Sequence, residues 1–321
     1  MTQEPKLNIK KVAEIAGVSV ASVSRSLNGK GGISESTRQK VLDTCKALNY
    51  NPSLTARKLS SGKDISIAIL LSRNDTQLSP YMTLMYSNLL DELNKRGLAP
   101  EIVYHEEVDT IKQRACGCIV IDATEGDERL ASLKQQQVPY VNVGKKVDGW
   151  WVAPDEYMGI RQITLNLVNK GKKRIAFVIA RDNNPVEESL RFQGYKSALD
   201  SVGLPSKAII FEGRHFQGMH ACSYFFRNPE LLDQFDAFVC HSDEIALGVA
   251  ESISTQNRAI PDDIAITGFD DLPVVSTDLT TVRQDLAHIA SKAVECLDLA
   301  KTGQEPFGVI SPVEVISRLT G

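Results

Sequence analysis

Four absences narrow what this 321-residue chain can be. No apolar run approaches the ~20 residues that cross a bilayer, so no membrane span is expected. The opening MTQEPKLNIKK lacks the apolar core of a signal peptide, which points away from secretion and toward the cytoplasm. No GxxxxGK(S/T) or GxGxxG phosphate loop occurs; GKGG at 29–32 only links two short helical patterns. Metal spacing is missing too. The six cysteines stand at 45, 116, 118, 222, 240 and 296, and the one C-x-C has no second pair and no histidine nearby. They read as small hydrophobes in a reducing compartment. The other histidines form no ligand set, and His241, Ser242 and Asp243, though the right types for a hydrolase triad, are consecutive. Neighbours on a strand point to opposite faces and cannot form a relay. No catalytic residue, metal or cofactor is expected.

What is present is a charge asymmetry. Residues 1–63 hold eleven Lys and Arg against four Asp and Glu, whereas the whole chain is −4, so the remainder is strongly acidic. A basic headpiece on an acidic body fits a polyanion-binding module. Asn8 is placed to cap a helix over 9–16 with Val12, Ile15 and Ala16 inward. Gly17 supplies the positive φ of a tight turn. Ser19 starts a second helix, about 20–28, with Val23 and Leu27 inward, and Ser34 starts a third, about 35–49, with Val41, Leu42, Cys45 and Leu48 inward. Helix, glycine turn, helix is a helix-turn-helix, and such a unit presents its second helix to the DNA major groove. Arg25 on that helix suits guanine O6 and N7, and Val20 and Ala21 suit a thymine methyl. Asn8, Ser19, Ser24, Asn28, Ser34, Thr37 and Arg38 suit the phosphates, which set register rather than sequence.

The run VAEIAGVSVASVSRSLNG, with ISESTRQKV and LNYNP after it, resembles the headpiece of the lactose/galactose repressor (LacI/GalR) family. The resemblance implies that Val20, Ala21 and Arg25 read the groove and that Tyr50 meets a phosphate. It also implies a hinge over 51–63. Pro52 can begin a helix but not continue one, and two turns alone are marginal in water. In the family that hinge forms on the operator, pairs with its dimer mate and wedges a leucine into the minor groove; by position this is Leu59, with Ala56 allowing close approach.

From residue 64 onward, apolar runs at 65–72, 101–105, 116–122, 139–144, 174–180, 208–213, 237–242 and 264–271 alternate with amphipathic stretches at 80–96, 156–170, 187–202, 244–257 and 286–302. That alternation predicts parallel sheets covered on both faces, divided between two Rossmann-like subdomains. The fold class is therefore an all-α helix-turn-helix headpiece (1–50) plus an α/β body (64–321). Ligands bind such sheets at the carboxyl ends of their strands, which singles out Arg191, Asp243 and Asp270. Asp243 has an alternative role as cap of the helix from Glu244.

GKKRIAFV, RFQGYKSAL, SDEIALGV, IPDDIAITGFDD and LTTVRQD extend the resemblance through the body, which is similar to periplasmic sugar-binding proteins. It implies one subdomain of about 64–156 and 286–310, a second of 157–285 and 311–321, and three crossovers between them. Its effector positions fall on Arg191, Ser242 and Asp270, and on Asn142 and Phe216, the latter as a stacking ring. Sugar-binding members often carry Asn or Asp where Ser242 stands and Asp where Asn142 stands. Trp150 and Trp151 either pack near the junction or face the ligand. The expectation is a homodimeric, ligand-responsive repressor on a pseudo-palindromic operator. The family's leucine tail is not seen in VEVISRLTG. The Val20-Ala21 pair resembles the galactose-type branch and implies a galactose or galactoside effector; a purine-type corepressor is the alternative. A solute-binding protein fits less well with the headpiece, and an enzyme has no motif behind it.

Overall fold

The computed structural model describes residues 8–27, 31–48, 50, 65–71, 79–181, 184–213, 215–273 and 278–321. The expected hinge, with Ala56 and Leu59, and the expected phosphate contact Asn28 lie outside the described residues.

The headpiece holds α1 (Ile9–Ala16), α2 (Val20–Leu27) and α3 (Glu35–Ala47). Each starts where a polar side chain meets orphan backbone donors. Asn8 accepts from the Lys10 and Lys11 N–H groups at 3.0 and 3.1 Å, Ser19 from Ser22 at 3.1 Å, and Ser34 from Thr37 at 3.2 Å. Gly17 closes α1 at φ 60. Val12, Ala13, Ala16, Val23, Val41 and Cys45 form the small core, with Leu27 and Leu48 packed on its edge. Two residues expected inside are not: Ile15 is 50 % exposed and Leu42 41 % exposed. The buried stripe of α1 is centred between Val12 and Ala13 and that of α3 between Val41 and Cys45, so both side chains fall on a flank, about 80–110° from the centre at 100° per residue.

The body begins with β1 (Ser66–Leu71), α4 (Pro80–Lys95), β2 (Ala99–Tyr104), α5 (Ile111–Arg114), β3 (Cys118–Ile121), α6 (Glu128–Gln136), β4 (Tyr140–Val143) and β5 (Trp151–Pro154). Then come α7 (Glu156–Asn169), β6 (Ile175–Ala180), α8 (Leu190–Asp200), β7 (Ala208–Phe211), α9 (Gln217–Arg227), α10 (Leu231–Gln234), β8 (Ala237–Cys240), α11 (Asp243–Thr255), β9 (Ala265–Thr267) and β10 (Thr281–Gln284). The chain ends with α12 (Leu286–Lys301), β11 (Gly308–Ser311) and β12 (Val313–Ile316). One parallel sheet has the order β11-β5-β4-β3-β1-β2 and the other β7-β6-β8-β9, while β10 and β12 form an antiparallel ribbon. Apolar clusters lie on both faces of each sheet, as expected where strands read as continuous hydrophobic runs.

All eight predicted strands are present. β5, β10 and β11 were not anticipated: TVRQ and GVIS are four-residue pieces without a continuous apolar run, and the apolar WVAP was read only for its tryptophan. The chain passes between the two sheet systems three times: from β5 to α7, from β10 to α12, and from β11 to β12. The passages are tied together. The Asp155 N–H donates to the Ser311 carbonyl at 2.9 Å, and the buried Ser311 hydroxyl lies 3.0 Å from His288 Nδ1. Asp155 and Asp285 also cap α7 and α12, so each of these two passages ends on a fixed helix start. No described helix is long and apolar enough to cross a membrane.

Candidate functional site

Burial of Val23 and Ser26 turns the opposite face of α2 outward, with Ala21 and Arg25 exposed, Val20 40 % exposed and Ser24 half-buried. Ser19 and Ser34 are exposed but already engaged, Ser19 with Ser22 at 2.9 Å and Ser34 with the Thr37 hydroxyl at 2.8 Å. Arg38 is half-buried, 3.8 Å from the Glu35 carboxylate. Tyr50 packs on the headpiece core and its N–H donates to Cys45 O at 2.8 Å. The structure thus brings Val20, Ala21 and Arg25 onto one open surface flanked by the polar starts of α2 and α3.

In the body, a cleft of about 1080 Å³ opens between the two sheets. Its walls come from the carboxyl ends of strands on both sides: Asp122 after β3, Gly144 after β4, Pro154 on β5, Arg181 after β6, and His241 after β8. At the floor lies Arg191, on the first turn of α8 and nearly buried. Its Nε donates to Glu156 Oε1 at 2.6 Å, its Nη1 to the His241 carbonyl at 2.5 Å, and its carbon centre sits 3.9 Å above the Phe269 ring. Asp270 is 3.9 Å from its Nη2. Two non-glycine residues near the floor, Asp122 (φ 53) and Asp270 (φ 122), hold backbone conformations that carry strain.

Burial drives the Asp270 carboxyl well above the usual range, outweighing the pull of Arg191. The adjacent Asp271 goes the other way: burial pushes it up, but hydrogen bonds from Arg283 and Arg318 hold it below. Burial, with the Arg191 and Lys145 cations, keeps the half-buried His241 ring well below its ordinary value and therefore neutral. Glu156 cancels the guanidinium charge, and burial favours a protonated Asp270. The floor offers hydrogen bonds with little net charge, which suits an uncharged ligand rich in hydroxyls.

Of the six expected effector residues, Arg191 lines the cleft and Asp270 lies directly behind it. The other four are placed elsewhere. Asn142 is fully buried; it accepts from Ala123 N–H at 3.2 Å and donates to the Ala123 and Lys145 carbonyls at 2.9 and 2.7 Å, so its amide is spent bracing loops beneath the site. Ser242, rather than Asp243, caps α11, accepting from Ile245 N–H at 3.4 Å. Asp243, 1 % exposed, accepts from Leu272 N–H at 2.8 Å and the Thr281 hydroxyl at 2.5 Å, and so ties the β9–β10 connection to α11. Phe216 stands 62 % exposed outside the cleft wall, next to the lining residue Gln217. Glu156 and His241 are contacts of Arg191 that the sequence reading missed. Glu156 follows β5, and with that strand unread its place at a strand end was invisible. The twin tryptophans separate across the pleat: Trp150 is buried against Phe307, centroids 4.7 Å apart, and Trp151 faces the cleft. No group of three or more candidate metal ligands occurs among the described residues.

Comparison with known proteins agrees with these two halves. Residues 8–53 match the family profile "Bacterial regulatory proteins, lacI family", and residues 164–320 match "Periplasmic binding protein-like domain". The regulator RegA of Clostridium saccharobutylicum is 29 % identical over 90 % of this chain and 91 % of its own. The structure of a transcriptional regulator CelR–cellobiose complex superposes with a TM-score of 0.70 at 25 % identity, covering 98 % of this chain and all of that one. The lac repressor dimer bound to operator and an anti-inducer gives a TM-score of 0.72 at 22 % identity and 99 % coverage of both. With a helix-turn-helix whose second helix is open to a partner, a ligand-sized cleft between two parallel sheets, a lacI-family profile match over the headpiece and a periplasmic-binding-protein-like match over residues 164–320, the chain belongs to the LacI family of bacterial regulatory proteins.

Proposed function

We propose that this protein is a cytoplasmic repressor of a carbohydrate-utilisation operon, released from its operator by a small sugar, with galactose or a galactoside the first candidate. Residues 1–50 read the DNA, 51–63 form the hinge, and 64–321 sense the ligand and dimerise. The observation that carries this reading is the Arg191 floor: a guanidinium held by Glu156 beside a neutral-leaning Asp270. Such a floor suits the recognition of hydroxyls.

Homodimerisation is supported by an apolar stripe on one side of the second subdomain. Phe216, Met219 and Phe226 follow one face of α9 at 62, 73 and 65 % exposure, and Leu247 on the adjoining α11 is 36 % exposed. Exposed apolar clusters of this kind mark association surfaces. A dimer places two α2 helices on a pseudo-palindromic site, and a ligand that changes the angle between the subdomains changes the spacing of the two hinges. That ligand acts only through its different affinities for the two states.

The test is a gel shift on operator DNA selected from random sequence, with sugars and purines added. A sugar is expected to weaken binding, with coupling of about 1–3 kcal/mol, and Arg191→Ala is expected to bind DNA without responding to it. A ligand that strengthens DNA binding replaces induction with corepression. Failure to select any DNA sequence removes the regulator reading altogether.

A further inference from the structure

The cleft has a side compartment. A second hollow of about 660 Å³ opens beside it and shares Glu125, Lys146 and Trp151 with the main cleft. Its back wall is aromatic. The Trp151 indole lies against Gly308 of β11, where a Cβ would collide with the ring. Gly308 is needed there for this close approach and not for any unusual φ. Phe307, 47 % exposed, is fixed edge-on by the buried Trp150. The rim is polar and preorganised: Glu125 accepts from the Asp148 N–H at 3.0 Å, and the Asp148 carboxylate pairs with Lys134 at 3.0 Å. An aromatic platform with carboxylates at its edge matches a sugar ring, which offers C–H groups on its face and hydroxyls around its perimeter.

We propose that this compartment is a second carbohydrate subsite, so that the effector is an oligosaccharide of at least two rings, one on the Arg191 floor and the next stacked on Trp151. The proposal rests on the sugar reading of the cleft and adds the length of the ligand. It follows from continuity, since the partly buried indole borders both spaces. A second ring would desolvate it further without adding charge.

The experiment is titration calorimetry of the full-length protein with matched pairs, galactose against lactose and glucose against cellobiose. At least one two-ring sugar is expected to bind about tenfold or more tighter than its one-ring partner, the worth of one good aromatic stacking contact. Trp151→Ala and Gly308→Ala are expected to collapse that ratio toward one, and Trp151→Phe to keep most of it. Equal affinity within every pair overturns the second subsite while leaving the cleft reading intact, as does a Trp151→Ala variant that weakens both members of a pair by the same factor. If no sugar of either length binds, or if Arg191→Ala leaves sugar binding untouched, the cleft reading falls and takes the subsite with it.

Discussion

Residue by residue, the ligand site is governed by how burial treats charge. Arg191 stays charged because Glu156 and the His241 carbonyl satisfy it; Asp270 and His241 are pushed toward their neutral forms. The two have opposite linkage signs. A histidine depressed in the fold contributes stability that is present above its unfolded value of about 6.5 and lost as the pH falls below it. A carboxyl raised in the fold contributes stability that is present below its unfolded value and lost as the pH rises. Between pH 5 and 7 they oppose each other, so the wild-type profile hides both. His241→Gln removes the first alone. Relative to wild type, the variant should gain in thermal midpoint on going from pH 8 to pH 5, at no more than about 1.4 kcal/mol per pH unit. Parallel profiles for the two proteins across that range would show that His241 is not held neutral. The headpiece caps Asn8, Ser19 and Ser34 behave as their types predict. Asn142 and Asp243 do not, because whether an amide or carboxylate faces a ligand or a backbone N–H depends on neighbours dozens of residues away.

At the level of elements, close helix crossings hold the second subdomain. A Cβ on Gly248 of α11 would overlap the Gly218 carbonyl of α9, and one on Gly218 would come within 2.6 Å of the Glu244 carbonyl. The two backbones therefore touch, which orders α9 and with it the apolar stripe. Gly248→Ala should force the helices apart and lower the unfolding free energy by about 1–3 kcal/mol, measurable by urea denaturation. Unchanged stability would mean the helices can separate freely. Strands were legible where apolar residues ran on, as in β1 and β6. They were not where a four-residue segment borrows its order from a long-range partner, as β11 does from β5 and β10 from β12. The exposed Ile15 and Leu42 show the same limit in helices: periodicity names a face, and the direction of the neighbouring helix decides which edge of it is covered.

For the whole molecule, three tied passages between the sheet systems make the body a hinged pair, and the α9 stripe offers a surface on which a second copy can dock. Charge placed on that stripe should separate the copies. Met219→Lys with Phe226→Lys is expected to shift sedimentation from dimer toward monomer and to weaken operator binding at least about tenfold, since two half-sites would no longer be held together. The sugar-binding enthalpy, which arises within one chain, should persist. A double variant that remains dimeric would place the interface elsewhere.

By itself the sequence determined the local and repetitive features: the helix-turn-helix with its Asn8, Ser19 and Ser34 caps, the outward face carrying Arg25, the alternation of strand and helix, and Arg191 as a cleft residue. Each depends on interactions a few residues apart or on a periodic burial pattern. Only the tertiary structure decided which polar groups point into the cleft, that Glu156 and His241 hold Arg191, that Trp150 and Trp151 part to opposite faces, and that Phe216 belongs to an exposed stripe. Those outcomes depend on packing between segments distant in the chain, where a single pleat or helix rotation reverses a side chain from ligand to core.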